Sequence, residues 1–416
     1  MEWERNPLVE QIAQALSSVP LSQESEEHAT LTDTTTGPGT KQKLTVDAKT
    51  SNRIATELVM EALRNGLTLA DPTPSMQVLA GGNTALQVSV ASAPVNFVFK
   101  MDSNPKLARE ARTIDDLRQD KRLGNFSSRL PIIYAEHSKG APYAYLMEWF
   151  DPKLYPSLKQ IFFGPDPPPP PAHAVELVEY ALEALGEAYR GSKDERLQVR
   201  MMGEAYFTRI EENLEKACII SSDFESVPLD INGKAVRPWR DLLALIRKRE
   251  QALQSLAPPF MTVVHGDPNP GNILVKRSGP AIREVKFIDL KDWKYGDYLF
   301  DIAKLSHFLL YTGPIEELNA FQDEPIQQSA QGRRIGYERR VPDYVNQAVQ
   351  AIEQLTMSIA NDLKDPVWQL RYKLAMASNL LGLIPGRLKI AYVSQARILY
   401  AEGMLLLEDF LQNWTE

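Results

Sequence analysis

Three side chains suited to phosphoryl transfer follow one another in residues 263–290, VVHGDPNPGNILVKRSGPAIREVKFIDL: Asp267, Asn272 and Asp289. Phosphoryl transfer depends on positioning, on a carboxylate that faces the attacking hydroxyl, and on metal ions that neutralise phosphate charge. Carboxylate and amide oxygens are hard ligands, which suit Mg²⁺ and do not suit zinc. We therefore expect Asn272 and Asp289 to form a magnesium site.

The local pattern predicts a loop followed by a β-hairpin. Pro268, Pro270 and Gly271 lie between Asp267 and Asn272 and cannot continue a helix, so this pair lies on a loop. Two short β-prone runs follow, at 273–276 and 285–288. A hairpin would bring the residues that flank its open end, Asn272 and Asp289, close together.

Several motifs of this segment together resemble those of the aminoglycoside phosphotransferase and choline kinase superfamily. Members of that superfamily share the bilobal fold of protein kinases and transfer a phosphoryl group from ATP, with Mg²⁺, to a small hydroxylated acceptor. The motifs are His265-Gly-Asp267, Asn272, Ile288-Asp289, Gly296-Asp297 and Asp301-Ile-Ala. Each motif alone is weak, and the alternative for Asp297 and Asp301 is that they only cap a helix and fill its first turn.

The resemblance assigns a role to each of these positions. It implies that Asp267 orients or deprotonates the acceptor hydroxyl and that Asn272 and Asp289 hold the metal ions. It also implies that three residues support the catalytic loop, namely His265, Asp297 and Asp301.

The preceding part of the sequence offers candidates for a nucleotide site. Gly81 and Gly82 lie between two predicted strands, where a lid over the phosphates belongs, although two glycines there are also typical of a plain turn. Lys100 ends a strand pattern, and Glu110 follows on a predicted helix at a distance that suits an ion pair. We expect Lys100 to contact the α- and β-phosphates.

Residues 147–150 end another predicted strand. In the family that the chain resembles, the corresponding segment links the lobes and binds adenine through its backbone. The resemblance therefore implies that the Glu148 carbonyl and the Phe150 amide bind the base and that Met147 lies beside the ring. The alternative is a buried strand end, and the identity of the base, adenine or guanine, stays open.

The periodicity of the whole chain predicts an α+β fold, which the resemblance makes a bilobal protein-kinase-like fold. Residues 1–50 are predicted to form a partly flexible extension, residues 51–150 a nucleotide-binding N-lobe, and residues 151–416 a mostly helical C-lobe with the catalytic loop and the acceptor site. The N-lobe is expected to hold five antiparallel strands and one helix between the third and fourth strands. Helical patterns in the C-lobe fall at 172–190, 199–217, 238–256, 298–311, 342–363, 366–383 and 388–413.

The composition disfavours nucleic acid and membranes as binding partners. The formal net charge is -8, which gives no electrostatic attraction to nucleic acid. No run of apolar residues is long enough to span a membrane, and the first residues do not resemble a secretory signal, so we expect a cytoplasmic protein. The oligomeric state stays open.

The acceptor is the least determined part of the prediction. A loose resemblance to kinase-like proteins of surface-polysaccharide biosynthesis favours a sugar-like acceptor, with Trp239 either stacked on the sugar or packed in the core. The alternative is a choline or aminoglycoside acceptor, with an aromatic cage from Trp293, Tyr295 and Tyr298. A non-catalytic pseudokinase is disfavoured because the lysine, the carboxylates and the asparagine are all present.

Overall fold

The computed structural model describes residues 48–65, 75–78, 86–92, 95–201, 206–278, 281–292, 294–324, 326–329 and 332–414. The chain divides into two compact units. Of the described residues, the first unit comprises those up to Lys121, Ser127–Tyr155 and Ile288–Asp292; the second comprises Arg122–Phe126, those within Pro156–Phe287, and those after 293. In the described part of the chain, no helix combines the length and the apolar character needed to cross a bilayer.

The first unit is built on an antiparallel sheet of five strands and two helices. The strands pair in the order β1-β2-β3-β5-β4. They are β1 (Ser75–Val78), β2 (Leu86–Ser92), β3 (Val95–Asp102), β4 (Ile133–His137) and β5 (Tyr143–Glu148), and the helices are α1 (Ala48–Arg64) and α2 (Lys106–Gln119).

Alternation along β3 gives this sheet two different faces. Phe97, Phe99 and Met101 lie in one apolar cluster with residues of α1. Val98 lies in a second cluster with Leu107 and Ala111 of α2 and with Tyr145 and Met147 of β5. Because side chains alternate along a strand, Lys100 lies on the same face as Val98.

The second unit is mostly helical. Its helices are α3 (Leu158–Phe163), α4 (Pro171–Ser192), α5 (Phe207–Ile220), α6 (Trp239–Lys248), α7 (Glu250–Gln254), α8 (Tyr298–His307), α9 (Gly313–Glu316), α10 (Asp343–Leu363), α11 (Trp368–Lys389) and α12 (Val393–Asn413). A π-helical turn, Phe308–Thr312, follows α8. Helix α11 packs against α5, α8 and α12, which explains why it is buried on most sides.

Short strands complete the second unit: β6 (Leu229–Ile231), β7 (Lys234–Val236), β8 (Thr262–Val263), β9 (Ile273–Ser278), β10 (Ala281–Phe287), β11 (Tyr295–Gly296), β12 (Phe321–Asp323), β13 (Gln327–Ser329), β14 (Gly332–Ile335) and β15 (Tyr337–Arg339). Strands β9 and β10 form an antiparallel hairpin, and β8 pairs with β11. The hairpin agrees with the sequence prediction, while the other eight of these strands were not predicted.

Four helix predictions were wrong in extent. The helix predicted for 366–383 runs from Trp368 to Lys389, and the one predicted for 388–413 begins at Val393. The helix predicted for 199–217 begins only at Phe207; Val199 lies in a loop, where its carbonyl accepts a hydrogen bond from Nε2 of Gln254 at 3.1 Å. The helix predicted for 238–256 ends at Lys248, because Arg249 adopts φ -111° and ψ 25°, and a separate turn of helix follows.

Candidate active site

In the first unit, a buried lysine joins two acidic side chains. Nζ of Lys100 lies 3.1 Å from Oε1 of Glu110 on α2 and 2.6 Å from Oδ1 of Asp289. The lysine is 1% exposed, whereas the side chain of Asp289 is half-exposed. Lys100 and Glu110 are therefore paired as the sequence predicted, with Asp289 as a second partner.

The Tyr145 ring completes this cluster. Its hydroxyl donates a hydrogen bond to Oε1 of Glu110 at 2.7 Å, and Nζ of Lys100 lies 5.6 Å from the ring centroid. Burial alone would lower the pKa of Lys100, but Tyr145, Asp289 and Glu110 together raise it well above its usual range. The lysine thus stays charged although it is buried.

Asp289 itself has an unusual backbone. Its φ is 57°, in the left-handed region that a residue with a side chain seldom adopts. Such conformations are retained at functional sites when the surroundings fix them. Here the conformation turns the chain directly after β10, at the residue whose carboxylate pairs with Lys100.

The predicted adenine-binding segment lies at the end of β5. Met147 and Phe150 are buried, and the Phe150 ring lies 5.3 Å from that of Tyr155. The Glu148 amide donates to the carbonyl of Ile132 at 2.8 Å, so the β5 edge is held in the sheet up to this point. The predicted lid residues, Gly81 and Gly82, lie outside the described residues.

In the second unit, Asp301 holds the loop that carries Asp267. Its two carboxylate oxygens accept the backbone amides of His265 at 2.6 Å and Gly266 at 2.8 Å. Gly266 has φ 86°, which a glycine adopts without strain and which turns the chain immediately before Asp267. Burial raises the pKa of Asp301 to about 7, although the two amides oppose this shift.

The loop is also braced from within. The Asp267 amide donates to Nδ1 of His265 at 3.2 Å, and Nδ2 of Asn272 donates to the Asp267 carbonyl at 2.9 Å. These contacts fix the backbone on both sides of Asp267. They also use the nitrogen of the Asn272 amide, so its oxygen is the atom suited to act as a ligand.

Asp297 begins helix α8 and is part of a buried charge network. As N-cap it accepts the Leu299 amide at 3.1 Å, and its Oδ2 lies 2.6 Å from Nε of Arg371. The Tyr206 hydroxyl donates to the same oxygen at 2.5 Å. Arg371 also pairs with Asp365, so one buried guanidinium serves two carboxylates.

The hairpin after the loop has the predicted register. Ile273 of β9 pairs with Phe287 of β10 at its open end. Asn272 immediately precedes Ile273 in the sequence, and Asp289 is two residues beyond Phe287.

Comparison with known proteins identifies the family of the chain. Residues 75–340, more than half of the chain, match the model of the family described as phosphotransferase enzymes. The chain belongs to the phosphotransferase enzyme family. It is accordingly a small-molecule phosphotransferase in its general chemistry. No curated protein sequence matches it.

Solved structures resemble this phosphotransferase in fold. It is similar to a candidate aminoglycoside phosphotransferase from Ralstonia eutropha JMP134, with TM-score 0.51 and 12% identity over 85% of this chain and 98% of that one. Choline kinase LicA from Streptococcus pneumoniae gives a TM-score of 0.44 and 12% identity, covering 85% and 99% of the two chains. Aminoglycoside phosphotransferase APH(4)-Ia with AMP-PNP and hygromycin B gives 0.45 and 9%, covering 81% and 94%. The first likeness shows a shared mixed, helix-rich fold.

The two side chains predicted to bind a metal each offer an oxygen of a type that suits a hard divalent cation. Asp289, in the first unit, has a half-exposed carboxylate, and Asn272, in the second unit, has an amide oxygen; Mg²⁺ takes ligands of both types together with waters and phosphate oxygens. Among the described residues, no group of three or more histidine, cysteine, aspartate or glutamate side chains is placed to hold a metal by itself. A metal in this phosphotransferase would therefore take further ligands from the nucleotide.

The structure decides between the alternatives left open for two aromatic residues, and both are packed in the protein interior. Trp239 is 1% exposed and its Nε1 donates to the Phe224 carbonyl at 3.1 Å, so it packs in the core and does not stack on a sugar. Tyr298 is buried and donates to Oδ2 of Asp365 at 2.7 Å, which removes it from any aromatic cage. Trp293 lies outside the described residues.

Sequence reasoning also missed cations near the proposed base of the phosphotransferase. Nζ of Lys304 lies 3.5 Å from Oδ1 of Asp267, and the charge of Asp267 acts on Arg209 of α5. A signal existed for Lys304, because it follows Asp301 by three residues and so shares its helix face. The amphipathic pattern of helix α5 predicts that Arg209 is exposed, so it gave no signal.

Proposed function

We propose that this phosphotransferase is an ATP- and Mg²⁺-dependent kinase that phosphorylates a hydroxyl of a small, sugar-like acceptor. The observation that carries the proposal is the support of Asp267. Its backbone is fixed by the His265 ring on one side and by Asn272 on the other, and Asp301 holds the two preceding amides. A carboxylate fixed in this way is prepared to orient a substrate hydroxyl.

In this proposal, Lys100 binds the α- and β-phosphates. Its charge is maintained by Glu110 and Asp289, so the ammonium group is preorganised before the nucleotide binds. The Glu148 carbonyl and the Phe150 amide bind the base, beside Met147. Residues 51–150 would then act as the nucleotide-binding lobe.

The reaction follows from these roles. The acceptor hydroxyl oxygen forms a bond to the γ-phosphorus of ATP while the bond from that phosphorus to the β,γ-bridging oxygen breaks. Asp267 takes the hydroxyl proton, and ADP leaves with the bridging oxygen. Asn272 and Asp289 are the proposed ligands of Mg²⁺, which when bound neutralises charge on the phosphate oxygens.

A second candidate, binding of nucleotide without transfer, is disfavoured by Lys100 and Asp267 both being supported as described. A screen of sugars, polyols, choline and aminoglycosides for acceptor-dependent ADP release tests the proposal. Release with at least one hydroxylated acceptor, dependent on added Mg²⁺, is expected. Intact binding of AMP-PNP without release for any acceptor would favour the non-catalytic candidate. The cytoplasmic location stays a prediction.

A further inference from the structure

Arg209 of helix α5 is a largely buried guanidinium without an ion-pair partner in the described part of the chain. Its Nε is buried and has no hydrogen-bond partner. The group is closely packed: a Cβ added to Gly382 of α11 would lie 2.5 Å from Nε and 2.8 Å from Nη2. The backbone of α11 at Gly382 therefore limits the positions that the guanidinium can take on this side.

A buried arginine without an ion-pair partner lowers the stability of the fold. Burial lowers the pKa of Arg209, and the charge of Asp267 opposes that shift. A buried charge is tolerated when it is paired, and an unpaired one is a recognised sign of a functional site. No carboxylate of the described residues forms an ion pair with Arg209, so an anionic ligand is a fitting partner.

Two further buried side chains, on helices of the same unit as Arg209, have polar atoms without hydrogen-bond partners in the described part of the chain. Nε2 of His307 on α8 has none, while its Nδ1 contacts Oγ1 of Thr312 at 3.2 Å. Neither amide atom of Asn379 has one, and Asn379 is fully buried. Asn379 lies three residues before Gly382 and thus on the same face of α11, the helix that packs against both α5 and α8.

Two cations act on Asp267, and an acidic group that also acts on it, Asp301, has its pKa raised to about 7 by burial. Lys304 lies 3.5 Å from the Asp267 carboxylate, and Arg209 adds a second cation. Burial, Lys304 and Arg209 keep the pKa of His307 well below its usual range, so that ring is neutral. Arg387, whose charge also reaches His307, is already paired with Glu316, at 3.0 Å between Nη2 and Oε2. One carboxylate thus faces two cations, which disfavours a cationic acceptor.

We propose that the acceptor carries an oxyanion, a carboxylate or a phosphate group, which Arg209 binds with hydrogen bonds from Asn379 and His307 while the acceptor hydroxyl faces Asp267. This assignment rests on the proposed kinase function and narrows its substrate class. It places the choline and aminoglycoside acceptors behind acidic sugars and sugar phosphates.

Binding to matched ligands tests the assignment directly. The protein is saturated with AMP-PNP and Mg²⁺, and calorimetry measures the affinity for D-glucose, D-glucuronate, glucose 6-phosphate and choline. We expect one of the two anions to bind at least about tenfold more tightly than glucose, since a hydrogen bond to a charged group is worth about this factor. Equal affinities, tighter binding of choline, or no binding of either anion would overturn the assignment.

Three variants locate the effect. Arg209→Gln is expected to remove the preference for the anion, and Gly382→Ala to weaken it by displacing the guanidinium while all charges remain. Lys216→Gln is the matched control, because Lys216 is exposed on the same helix and pairs only with Glu212 at 3.6 Å. The anion site at Arg209 would be contradicted if Arg209→Gln kept the preference for the anion over glucose. It would also be contradicted if Lys216→Gln lost that preference to the same degree.

Two readouts separate this inference from its alternatives. Without ligand, the Tm of Arg209→Gln is expected to equal or exceed that of the unmodified protein, and a large fall would make Arg209 a structural residue. A weaker affinity for AMP-PNP in Arg209→Gln would assign the guanidinium to the nucleotide instead. If anions bind through Arg209 and ADP is never released, the kinase proposal fails and the anion site stands. If glucose is phosphorylated without any preference for anions, the reverse holds.

Discussion

Oδ1 of Asp301 accepts the backbone amide of Gly266 at 2.8 Å, one residue before the proposed base Asp267. The other oxygen accepts the His265 amide, so a single carboxylate sets the path of the catalytic loop. Asp301→Asn keeps the size of the side chain but turns one acceptor into a donor. We expect kcat to fall about 100-fold, since small misplacements of catalytic groups have effects of this order. Steady-state assays check it, and the exposed Asp166→Asn should be unaffected.

The pH dependence of stability carries the signature of Asp301. Its pKa is raised to about 7 in the folded protein, chiefly by burial, so the folded state holds this proton more tightly than the unfolded state. The contribution of Asp301 to the free energy of unfolding is largest below the ordinary aspartate pKa of about 4. It falls by about 1 kcal/mol per pH unit as the pH rises from there to about 7. Urea unfolding between pH 4 and 8 should show this slope in the unmodified protein relative to Asp301→Asn. Parallel curves for the two proteins would argue against it.

The ion pairs of Lys100 predict a nucleotide-binding defect. Lys100→Met removes the charge that joins Glu110 and Asp289 and leaves two carboxylates without it at the proposed phosphate site. We expect kcat/KM for ATP to fall about 30-fold or more, from the loss of charged hydrogen bonds. Lys106→Met is the control, because Lys106 is an exposed lysine on helix α2, the helix that carries Glu110. Equal kinetics for the two variants would remove Lys100 from the phosphate site.

The network around Arg371 predicts a stability defect of a different kind. Arg371 and Asp297 are 0% and 1% exposed, so Arg371→Met leaves two buried carboxylates without their partner. The free energy of unfolding should fall by about 4 kcal/mol. The exposed pair of Arg240 and Glu215 offers a contrast: Arg240→Met should cost less than about 1 kcal/mol. Chemical unfolding of both variants measures the difference, and similar losses would contradict this description.

The sequence predicted what short motifs encode and missed what distant residues build. The loop at 265–272 and the hairpin after it follow from prolines, a glycine and β-prone runs, all local signals. Arg371 partners Asp297 across 74 positions, and β14 pairs in parallel with β6 from about 100 residues away. No local periodicity reports such pairings, because they arise only when the helices pack.

Arg209 shows the same limit at the candidate site. Its helix pattern reads as amphipathic with the arginine on the polar side, where an exposed position is the ordinary expectation. Only the packing of α11, with glycine at 382, reveals that the guanidinium is enclosed. For Trp239 the local sequence allowed both sugar stacking and core packing, and the structure places it in the core.

The central claim, that Asp267 orients and deprotonates the acceptor hydroxyl, is tested most directly by Asp267→Asn. The measurement is acceptor-dependent ADP release, made beside the affinity for AMP-PNP with Mg²⁺ in the same preparation. The account predicts that release falls at least about 100-fold, the order of a lost general base, while nucleotide affinity stays within about threefold. Unchanged release in Asp267→Asn would contradict the account.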